Sequence, residues 1–400
     1  MGQTARLPDR MARVTAPDVR LRVLVADDED AVCRAICRML EGQHFDVVAV
    51  GSGRQAIELF ERSVFDVVLT DLHMPDGSGI DLLRAIRRVN ADIPVVLMSG
   101  MTDVLSTALE YGAFRLLTKP IMPEILGKTI RVACRAHELM RLHKQSEPSQ
   151  LRDEHVPDGP TSASEFERTV ATTRLSFQPV IDAATGTAFA QQALLRSDDS
   201  VFPMPHSLSE EADRLGWTPV VGRHLRSLCA AALRDASPST TLFVAVHAKD
   251  LFDVELFSAS APLSDYAPRV FLDIKEQASS ITDSLTIVER LRSLREMGFR
   301  LSVDEVGESY SGLTSFVELA PEIAKISSSL VRDVDRSNLK QRTIATLCRL
   351  CHDVGCRVVA SGVEKPAERA AVVQLGCDYL QGDLVGPPGD LPSDAEAETT

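Results

Sequence analysis

Carboxylate, hydroxyl and ammonium side chains follow short apolar runs in the first 125 residues of the sequence. Asp27 and Asp28 follow the first run, Asp71 the third, Ser99 the fourth and Lys119 the fifth. Clustered carboxylates repel one another unless a cation joins them, and oxygen ligands select a hard divalent ion such as Mg²⁺. Such an ion reduces the repulsion between an attacking carboxylate and an incoming phosphate, and a hydroxyl and an ammonium can bind the transferred oxygens. These residue types indicate phosphoryl transfer.

The apolar runs before these residues are rich in β-branched and aliphatic side chains. They are Leu21–Ala26, Val47–Val50, Val64–Thr70, Ile93–Met98 and Phe114–Thr118. Segments with helical spacing separate them, which is typical of parallel strands covered by helices on both faces. The alternation predicts a doubly wound, five-stranded parallel (flavodoxin-like) α/β domain over residues 21–123. Because parallel strands end at one edge of such a sheet, we expect the polar residues to meet there.

Residues 20–123 resemble the receiver domain of two-component response regulators, through the residues above and the segment that follows Asp71. The resemblance implies that a cognate sensor histidine kinase phosphorylates Asp71, with Ser99 as the switch hydroxyl and Lys119 as the family's lysine. The implied Mg²⁺ ligands are Asp27, Asp28, Asp71 and the backbone carbonyl of His73. The aromatic switch residue of the family, three positions before the lysine, is Leu116 here. Phosphorylation is therefore expected without the aromatic rotamer signal.

A second alternation of apolar runs and helical segments occupies residues 164–390. The runs are Leu175–Phe177, Phe189–Leu195, Thr241–Val246, Val270–Ile274, Leu301–Val303, Ile323–Ile326, Arg357–Ala360 and Tyr379–Leu380. Eight strand candidates in this length favour a closed, TIM-barrel-like (β/α)8 fold over an open sheet. In such barrels the chemistry lies where the strands end.

Seven segments within residues 165–388 resemble the EAL family of cyclic di-GMP phosphodiesterases. They are Phe177–Val180, Gln192–Arg196, Asp273–Glu276, Asp304–Gly307, Lys325–Ser327, Ser361–Glu364 and Gly376–Gly382. The resemblance implies a barrel whose strand ends supply ligands for two metal ions. It also implies a base for the water that attacks the phosphodiester.

The family's metal and catalytic positions are partly altered in this chain. They hold Gln192, His247, Asp273, Asp304, Glu305, Lys325, Ser327, Ser361 and Glu364. Gln192 and Ser327 replace acids, whereas Asp273 and Glu305 keep their charge but move their oxygens, which Mg²⁺ tolerates poorly. Ser361 replaces the catalytic-type Glu, and losing a general base typically costs about 10²–10⁴-fold in rate. We expect a degenerate domain with no hydrolytic activity and a doubtful metal site; an active, phosphorylation-regulated phosphodiesterase is the alternative.

Several positions that contact the dinucleotide in the family keep suitable side chains. They are Gln178, Leu194, Arg196 and Gln381. Arg196 can pair with a phosphate without a metal, so the domain is interpreted either as a cyclic di-GMP sensor or as a surface for a downstream protein partner. His247, with acids nearby, is either a ligand of a transition metal or a neutral histidine hydrogen-bonded among them.

The net charge of −14 argues against sequence-independent binding to DNA or to an anionic membrane, because both require a basic surface. The sequence shows no signal peptide and no apolar run long enough for a bilayer, which predicts a cytoplasmic protein. Cys348, Cys351 and His352 match the C-x-x-C-H haem-attachment pattern. A helix whose cysteines pack against its neighbours is the alternative interpretation.

The remaining segments are predicted to connect or extend the two domains. Residues 1–20 are predicted to form a disordered tail, residues 146–163 a flexible linker and residues 391–400 an acidic tail. Residues 124–145 continue the helical spacing beyond the first domain, and this helix either mediates a homodimer or only connects the domains. The sequence thus predicts a phosphorelay response regulator whose output does not bind DNA.

Overall fold

The computed structural model describes residues 21–90, 93–100, 113–144, 163–197, 212, 215–275, 284–307 and 320–392. The predicted N-terminal tail lies outside these ranges, as do the linker before residue 163 and the acidic tail from residue 393 onward. The chain divides into two compact units, Met1–Ile130 and Arg131–Thr400. The boundary between them falls inside one continuous helix, Pro123–Lys144.

The first unit contains a five-stranded parallel sheet. Its strands are β1 Arg22–Ala26, β2 Asp46–Val50, β3 Val67–Asp71, β4 Val95–Ser99 and β5 Arg115–Thr118. The described helices of this part of the chain are α1 Asp30–Glu41, α2 Gly53–Arg62, α3 Gly79–Val89 and α4 Pro123–Lys144. The strand order is β2-β1-β3-β4-β5. This topology confirms the predicted flavodoxin-like fold.

The start of α3 is fixed by its capping residues and by a glycine. Ser78 Oγ accepts a hydrogen bond from the Asp81 backbone N–H, and the Asp81 carboxylate accepts one from the Ser78 N–H. A Cβ atom at Gly79 would lie 2.3 Å from the carbonyl oxygen of Asp71. Only glycine therefore lets α3 begin this close to the end of β3.

Eight strands of the second unit form a closed barrel. They are β6 Arg174–Asp182, β7 Ala188–Arg196, β8 Leu242–Val246, β9 Val270–Lys275, β10 Arg300–Val306, β11 Ile323–Ile326, β12 Arg357–Ala360 and β13 Tyr379–Gln381. They follow one another around the barrel in chain order, and β13 pairs back to β6. The predicted barrel is confirmed.

The helices of the second unit surround these strands. The α-helices within the described ranges are α5 Ala163–Thr172, α6 Thr218–Asp235, α7 Ser284–Glu296, α8 Ser328–Val331, α9 Asn338–Asp353 and α10 Pro366–Gln374. The 3-10 helices are Ala248–Phe252, Val254–Phe257, Ser264–Arg269 and Val334–Arg336. Cys348 and Cys351 of α9 are each 1% exposed, which agrees with helix packing and not with haem attachment. Across the described ranges, none of the helices has the length and apolar composition needed to cross a membrane.

The first barrel strand departs from an ideal (β/α)8 barrel. β6 runs antiparallel to both of its neighbours, whereas the other strand pairs are parallel. A short turn joins β6 directly to β7, and Gly186 adopts φ +77° in it, a left-handed conformation that glycine tolerates. Apolar runs alone do not report strand direction, so the sequence did not predict this hairpin.

Aromatic and aliphatic side chains fill the barrel interior. The rings of Phe243 and Phe271 stack with their centroids 4.7 Å apart. Val180, Ile323 and Val359 belong to the same buried cluster. This cluster forms an apolar layer beside the polar residues of the strand ends.

Candidate functional site

Three carboxylates meet at the carboxyl edge of the first sheet. Asp27 and Asp28 directly follow β1, and Asp71 is the last residue of β3. Oxygen atoms of the three side chains all lie within 4.8 Å of one another. The Asp27 side chain is fully buried and that of Asp71 is 12% exposed. The structure thus brings together the three acids that the strand pattern predicts at one edge.

Lys119 supplies a positive charge beside these acids. Its Nζ lies 2.8 Å from Asp27 Oδ2 and 3.0 Å from Asp71 Oδ1. Its backbone N–H donates to the Ser99 carbonyl at 2.8 Å, because β4 and β5 are paired there. Burial lowers the pKa of Lys119, but the hydrogen bonds and charges of Asp27 and Asp71 outweigh this effect and raise it. The ammonium is therefore charged at neutral pH.

Three further predicted residues of the receiver site lie on or next to the strands of this sheet. Ser99 is the last residue of β4 and is 1% exposed. His73 is exposed and lies two residues after Asp71. Leu116 of β5 is partly buried and packs against the hydrophobic core of the first unit. Strand β5 thus has an aliphatic side chain at the position where the receiver family usually has an aromatic switch residue.

The sheet-edge acids fit a divalent cation. Three carboxylates carry three negative charges, and the Lys119 ammonium offsets one of them. The remaining charge matches that of a divalent ion, and carboxylate oxygens are the ligands that Mg²⁺ prefers. Asp27, Asp28 and Asp71 are therefore the residues able to hold it.

Lys325 lies at the centre of the polar residues inside the barrel. Its Nζ lies 2.5 Å from Gln192 Oε1 and 2.9 Å from Asp273 Oδ2, and it lies 3.7 Å from Asp304 Oδ1. The residue is 2% exposed, and its ammonium is 5.4 Å from the centroid of the Phe243 ring. Burial lowers the pKa of Lys325, but the charges of the two aspartates outweigh this and raise it. A charged ammonium thus occupies the middle of the site.

A second ammonium pairs with the remaining acid of the barrel mouth. Strand register places Lys275 of β9 opposite Asp304 of β10. Lys275 Nζ lies 2.8 Å from Glu305 Oε1. Glu305 adopts φ +59° where the pairing of β10 with β11 shifts register, and its N–H donates to Asp304 Oδ1 at 2.8 Å. All three carboxylates at these strand ends therefore have a lysine partner.

His247 is held by hydrogen bonds at the end of β8. Its Nδ1 accepts a hydrogen bond from the Lys249 backbone N–H at 3.1 Å, and its own N–H donates to Asp250 Oδ2 at 3.0 Å. With Nδ1 as the acceptor, a neutral ring carries its proton on Nε2 and has no lone pair there for a metal. This geometry favours a hydrogen-bonded histidine over a metal ligand. The ring accepts from a backbone N–H, whereas Asp250 binds the backbone N–H of His247 and not its ring.

The two serines at acid positions of the family lie at neighbouring strand ends. Ser327 follows β11, and its Oγ lies 2.8 Å from Ser329 Oγ and caps α8. Ser361 follows β12, and its backbone N–H donates to the Ile326 carbonyl at 3.2 Å. The Ser361 Oγ is buried without a hydrogen-bond partner among the described residues. Neither hydroxyl accepts a proton at neutral pH.

Two glutamines join the first and last strands of the barrel. Gln381 Nε2 donates to Gln178 Oε1 at 3.0 Å. Gln178 Nε2 in turn lies 3.3 Å from both Asp383 Oδ1 and the Gly386 carbonyl. Gln381 is 6% exposed, and its Oε1 is a buried acceptor without a partner in the described part of the chain. An unpaired buried acceptor is costly, so this atom is suited to a ligand donor or a water.

Arg196 ends β7 at the rim of the same barrel. Its Nε donates to Ser176 Oγ at 3.0 Å. Within the described ranges, its two terminal nitrogens make no hydrogen bond, which leaves them available to a phosphate. Leu194 lies two residues earlier on β7 and is partly buried.

A buried carboxylate holds the segment that carries Glu364. Glu368 accepts backbone hydrogen bonds from Glu364 at 3.0 Å, Lys365 at 3.1 Å and Asp333 at 2.9 Å. Burial raises the pKa of Glu368, but these hydrogen bonds outweigh that effect and lower it. Glu364 itself is exposed and pairs with Arg332 at 3.3 Å.

The described part of the barrel mouth contains no group of three closely spaced acidic, histidine or cysteine side chains that could hold a metal ion. Among the described residues, two groups of acids are close enough to hold a metal ion: Asp27, Asp28 and Asp71, and Asp333, Asp335 and Glu368. The barrel carboxylates Asp273, Asp304 and Glu305 form no such group and are already paired with lysines. The Asp333 group is held by Lys365, at 2.6 Å from Asp333 Oδ1, and by the backbone bonds of Glu368.

Lys275 and Ser302 are site residues that the sequence patterns did not single out. Ser302 Oγ donates to Asp273 Oδ1 at 2.7 Å. Each residue lies two positions from a predicted site residue on the same strand, Lys275 after Asp273 and Ser302 before Asp304. Alternate residues of a strand point to the same face, and this spacing is the signal that identifies them.

Two family models match the chain. The model of the EAL domain matches residues 166–388, which is more than half of the sequence, and the model of the response regulator receiver domain matches residues 23–131. The matched ranges correspond to the barrel and to the five-stranded sheet with part of α4.

Two curated relatives are similar to parts of the chain. The DNA-binding response regulator MtrA of Mycolicibacterium smegmatis is 33% identical over 122 residues, which are 30% of this chain and 53% of MtrA. The transcriptional regulatory protein ZraR of Escherichia coli K12 is 36% identical over 113 residues, 28% of this chain and 26% of ZraR. The chain thus spans about half or less of the length of these relatives.

A solved structure supports the barrel fold. The EAL domain of Xanthomonas citri FimX, solved in complex with c-diGMP, superposes with a TM-score of 0.51 at 20% identity. The match covers 57% of this chain and 96% of that domain. On the family matches and this fold, the chain belongs to the EAL domain family and also carries a response regulator receiver domain.

Proposed function

We propose that this protein is a response regulator that is phosphorylated on Asp71 and whose EAL domain binds cyclic di-GMP without hydrolysing it. A sensor histidine kinase is the expected phosphodonor, because receiver domains take their phosphoryl group from such partners. The single observation that carries the non-hydrolytic half is Ser361 after β12, whose hydroxyl cannot act as the base that the attacking water requires.

The receiver half of the proposal rests on the sheet-edge geometry. Asp71 is the attacking carboxylate, and Asp27 and Asp28, with the His73 carbonyl, would hold Mg²⁺, which supplies charge against phosphate repulsion. Lys119 lies 3.0 Å from Asp71 Oδ1, within reach of a phosphoryl oxygen on that carboxylate. Ser99 at the end of β4 supplies the hydroxyl.

The absence of hydrolysis follows from the charges and bases of the barrel mouth. Hydrolysis of a phosphodiester requires an activated water, and Ser361 offers no base for it. Lys325 binds Asp273 and Gln192 within the barrel, and Lys275 binds Glu305. These contacts compete with any metal for the same oxygens.

Binding is supported by polar groups without a partner in the described structure. The terminal nitrogens of Arg196 suit a phosphate, and the buried Oε1 of Gln381 suits a donor of a nucleobase or a bridging water. The similar FimX domain was solved with c-diGMP bound. A cyclic dinucleotide provides both phosphates and base donors.

Calorimetric titration of the full chain with cyclic di-GMP tests the proposal. The wild type should release binding heat, Arg196→Ala should lose it, and Arg168→Ala, an exposed arginine of α5, should keep it. The same samples, incubated with Mg²⁺ or Mn²⁺, should yield no linear dinucleotide. Turnover that disappears on Asp304→Ala would replace this proposal with an active phosphodiesterase. If the wild type binds nothing, the barrel serves protein contacts instead.

A further inference from the structure

Lys119 connects the phosphoacceptor to the helix that follows the first sheet. Its Nζ lies 3.0 Å from Asp71 Oδ1, and α4 begins shortly after it in the chain, at Pro123. A phosphoryl group on Asp71 adds negative charge beside this ammonium, so Lys119 and the chain that follows it have to adjust. Because Leu116 replaces the aromatic switch residue of the family, this route to α4 matters more here.

An ion pair attaches the second half of α4 to the barrel. Arg135 of α4 and Asp353, the last residue of α9, pair through Nη1 and Oδ2, and both of these atoms are buried. A negative side chain at the C-terminus of a helix is unfavourable unless a cation lies beside it, because the helix dipole is negative there. Arg135 therefore stabilises the last turn of α9.

Helix α9 also contacts a strand end at the barrel mouth. Leu347 of α9 lies so close to Gly307, directly after β10, that a Cβ atom on the glycine would lie 3.3 Å from Leu347 Cδ1. Protein interiors that are packed this densely transmit displacement from one element to the next. A shift of α9 therefore reaches the strand end that carries Asp304 and Glu305.

We propose that the ion pair of Arg135 and Asp353 carries the phosphorylation state of Asp71 from α4 to the barrel mouth. The inference rests on the phosphorylation in the proposed function, but not on dinucleotide binding. Phosphorylation shifts α4. Because an ion pair between buried atoms depends strongly on its geometry, the shift weakens the contact and loosens the last turn of α9.

Hydrogen–deuterium exchange of the full chain, with and without acetyl phosphate and Mg²⁺, tests this inference. Intact-protein mass spectrometry records the phosphorylated fraction of each sample. Phosphorylation of the wild type should accelerate exchange about fivefold in the last turn of α9, and should also accelerate it at the end of β10. Arg135→Met should exchange rapidly in both states and still accept the phosphoryl group. Arg141→Met, which removes an exposed arginine of α4, should behave like the wild type.

A charge reversal separates this contact from a general loss of stability. Arg135→Asp should behave like Arg135→Met, and adding Asp353→Arg should restore both slow exchange and its response to phosphorylation. A phosphorylated wild type whose α9 exchanges at an unchanged rate overturns the inference and leaves Asp71 as the phosphoacceptor, as does an Arg135→Met chain that still responds. A chain that takes up no phosphoryl group contradicts the proposed function, and the inference with it.

Discussion

Lys325 Nζ lies 2.5 Å from Gln192 Oε1, and this hydrogen bond joins β11 to β7 on the opposite side of the barrel. The same ammonium lies 2.9 Å from Asp273 Oδ2. One side chain therefore ties three strands together through the barrel interior. Its removal is expected to affect stability as well as ligand binding.

Lys325→Met should destabilise the barrel by about 3–5 kcal/mol, because breaking a buried ion pair leaves Asp273 charged and unpaired. Trp217 is the single tryptophan of the sequence and lies in the second unit, so its fluorescence during urea unfolding reports on the barrel. Adding Asp273→Asn to Lys325→Met should recover part of the loss. Equal stability of the single variant and the wild type would contradict the role of this ion pair.

Gln192→Glu alone should not produce a phosphodiesterase. The new carboxylate would lie against the Lys325 ammonium and form another ion pair, while Ser361 still provides no base. The measurement is chromatographic detection of linear dinucleotide from cyclic di-GMP with Mn²⁺. Product formed by Gln192→Glu, and not by wild type, would show that one charge is the only defect.

Phosphorylation should depend on Asp71 and on a divalent ion. Incubation with acetyl phosphate and Mg²⁺ should add one phosphoryl group per chain, detected by intact-protein mass spectrometry. Asp71→Asn or excess EDTA should abolish it, whereas Asp76→Asn, which neutralises an exposed acid of the same loop, should not. Label retained in Asp71→Asn would move the phosphoacceptor to another residue.

Glu368 should make the barrel sensitive to acid. Its pKa is lowered in the folded state, so the stabilisation is present above the unfolded value of about 4.3 and is lost as pH falls through the folded value. Glu368→Gln should cost about 1–3 kcal/mol at pH 7 and should flatten the fall in stability below pH 5.

The control for this prediction is Glu296→Gln, an exposed residue at the end of α7. The free energy of unfolding should be measured at several pH values by Trp217 fluorescence. If Glu368→Gln and Glu296→Gln follow the same pH curve, the backbone bonds of Glu368 do not contribute as argued.

The sequence was sufficient to predict the site residues whose location depends only on their position in a strand. Asp27, Asp71 and Lys119 each follow or end an apolar run, and parallel strands align their ends, so their meeting could be predicted. Both folds could be predicted for the same reason. These patterns and the order of the motifs were enough to predict both families of the chain.

The sequence did not predict the direction of one strand or the partners of several polar side chains. The antiparallel β6 depends on a short turn at Gly186, which an apolar run does not reveal. The partners of Lys275 and Lys325 depend on side-chain reach inside a closed barrel, as does the attachment of His247 Nδ1 to the Lys249 N–H. The residue types indicated that some acids of the barrel were lost, but not that Lys275 and Lys325 pair with the acids that remain.

The closure of the barrel between β13 and β6 has a consequence for biosynthesis. Gln381 and Gln178 are 203 positions apart, and their hydrogen bond requires strands made at the beginning and the end of the domain. A nascent chain cannot close the barrel until residues 379–381 have left the ribosome. Premature termination before Tyr379 would leave two unpaired strand edges, which invite aggregation. Incomplete copies should therefore be unable to close the barrel and should be targets for proteolytic removal.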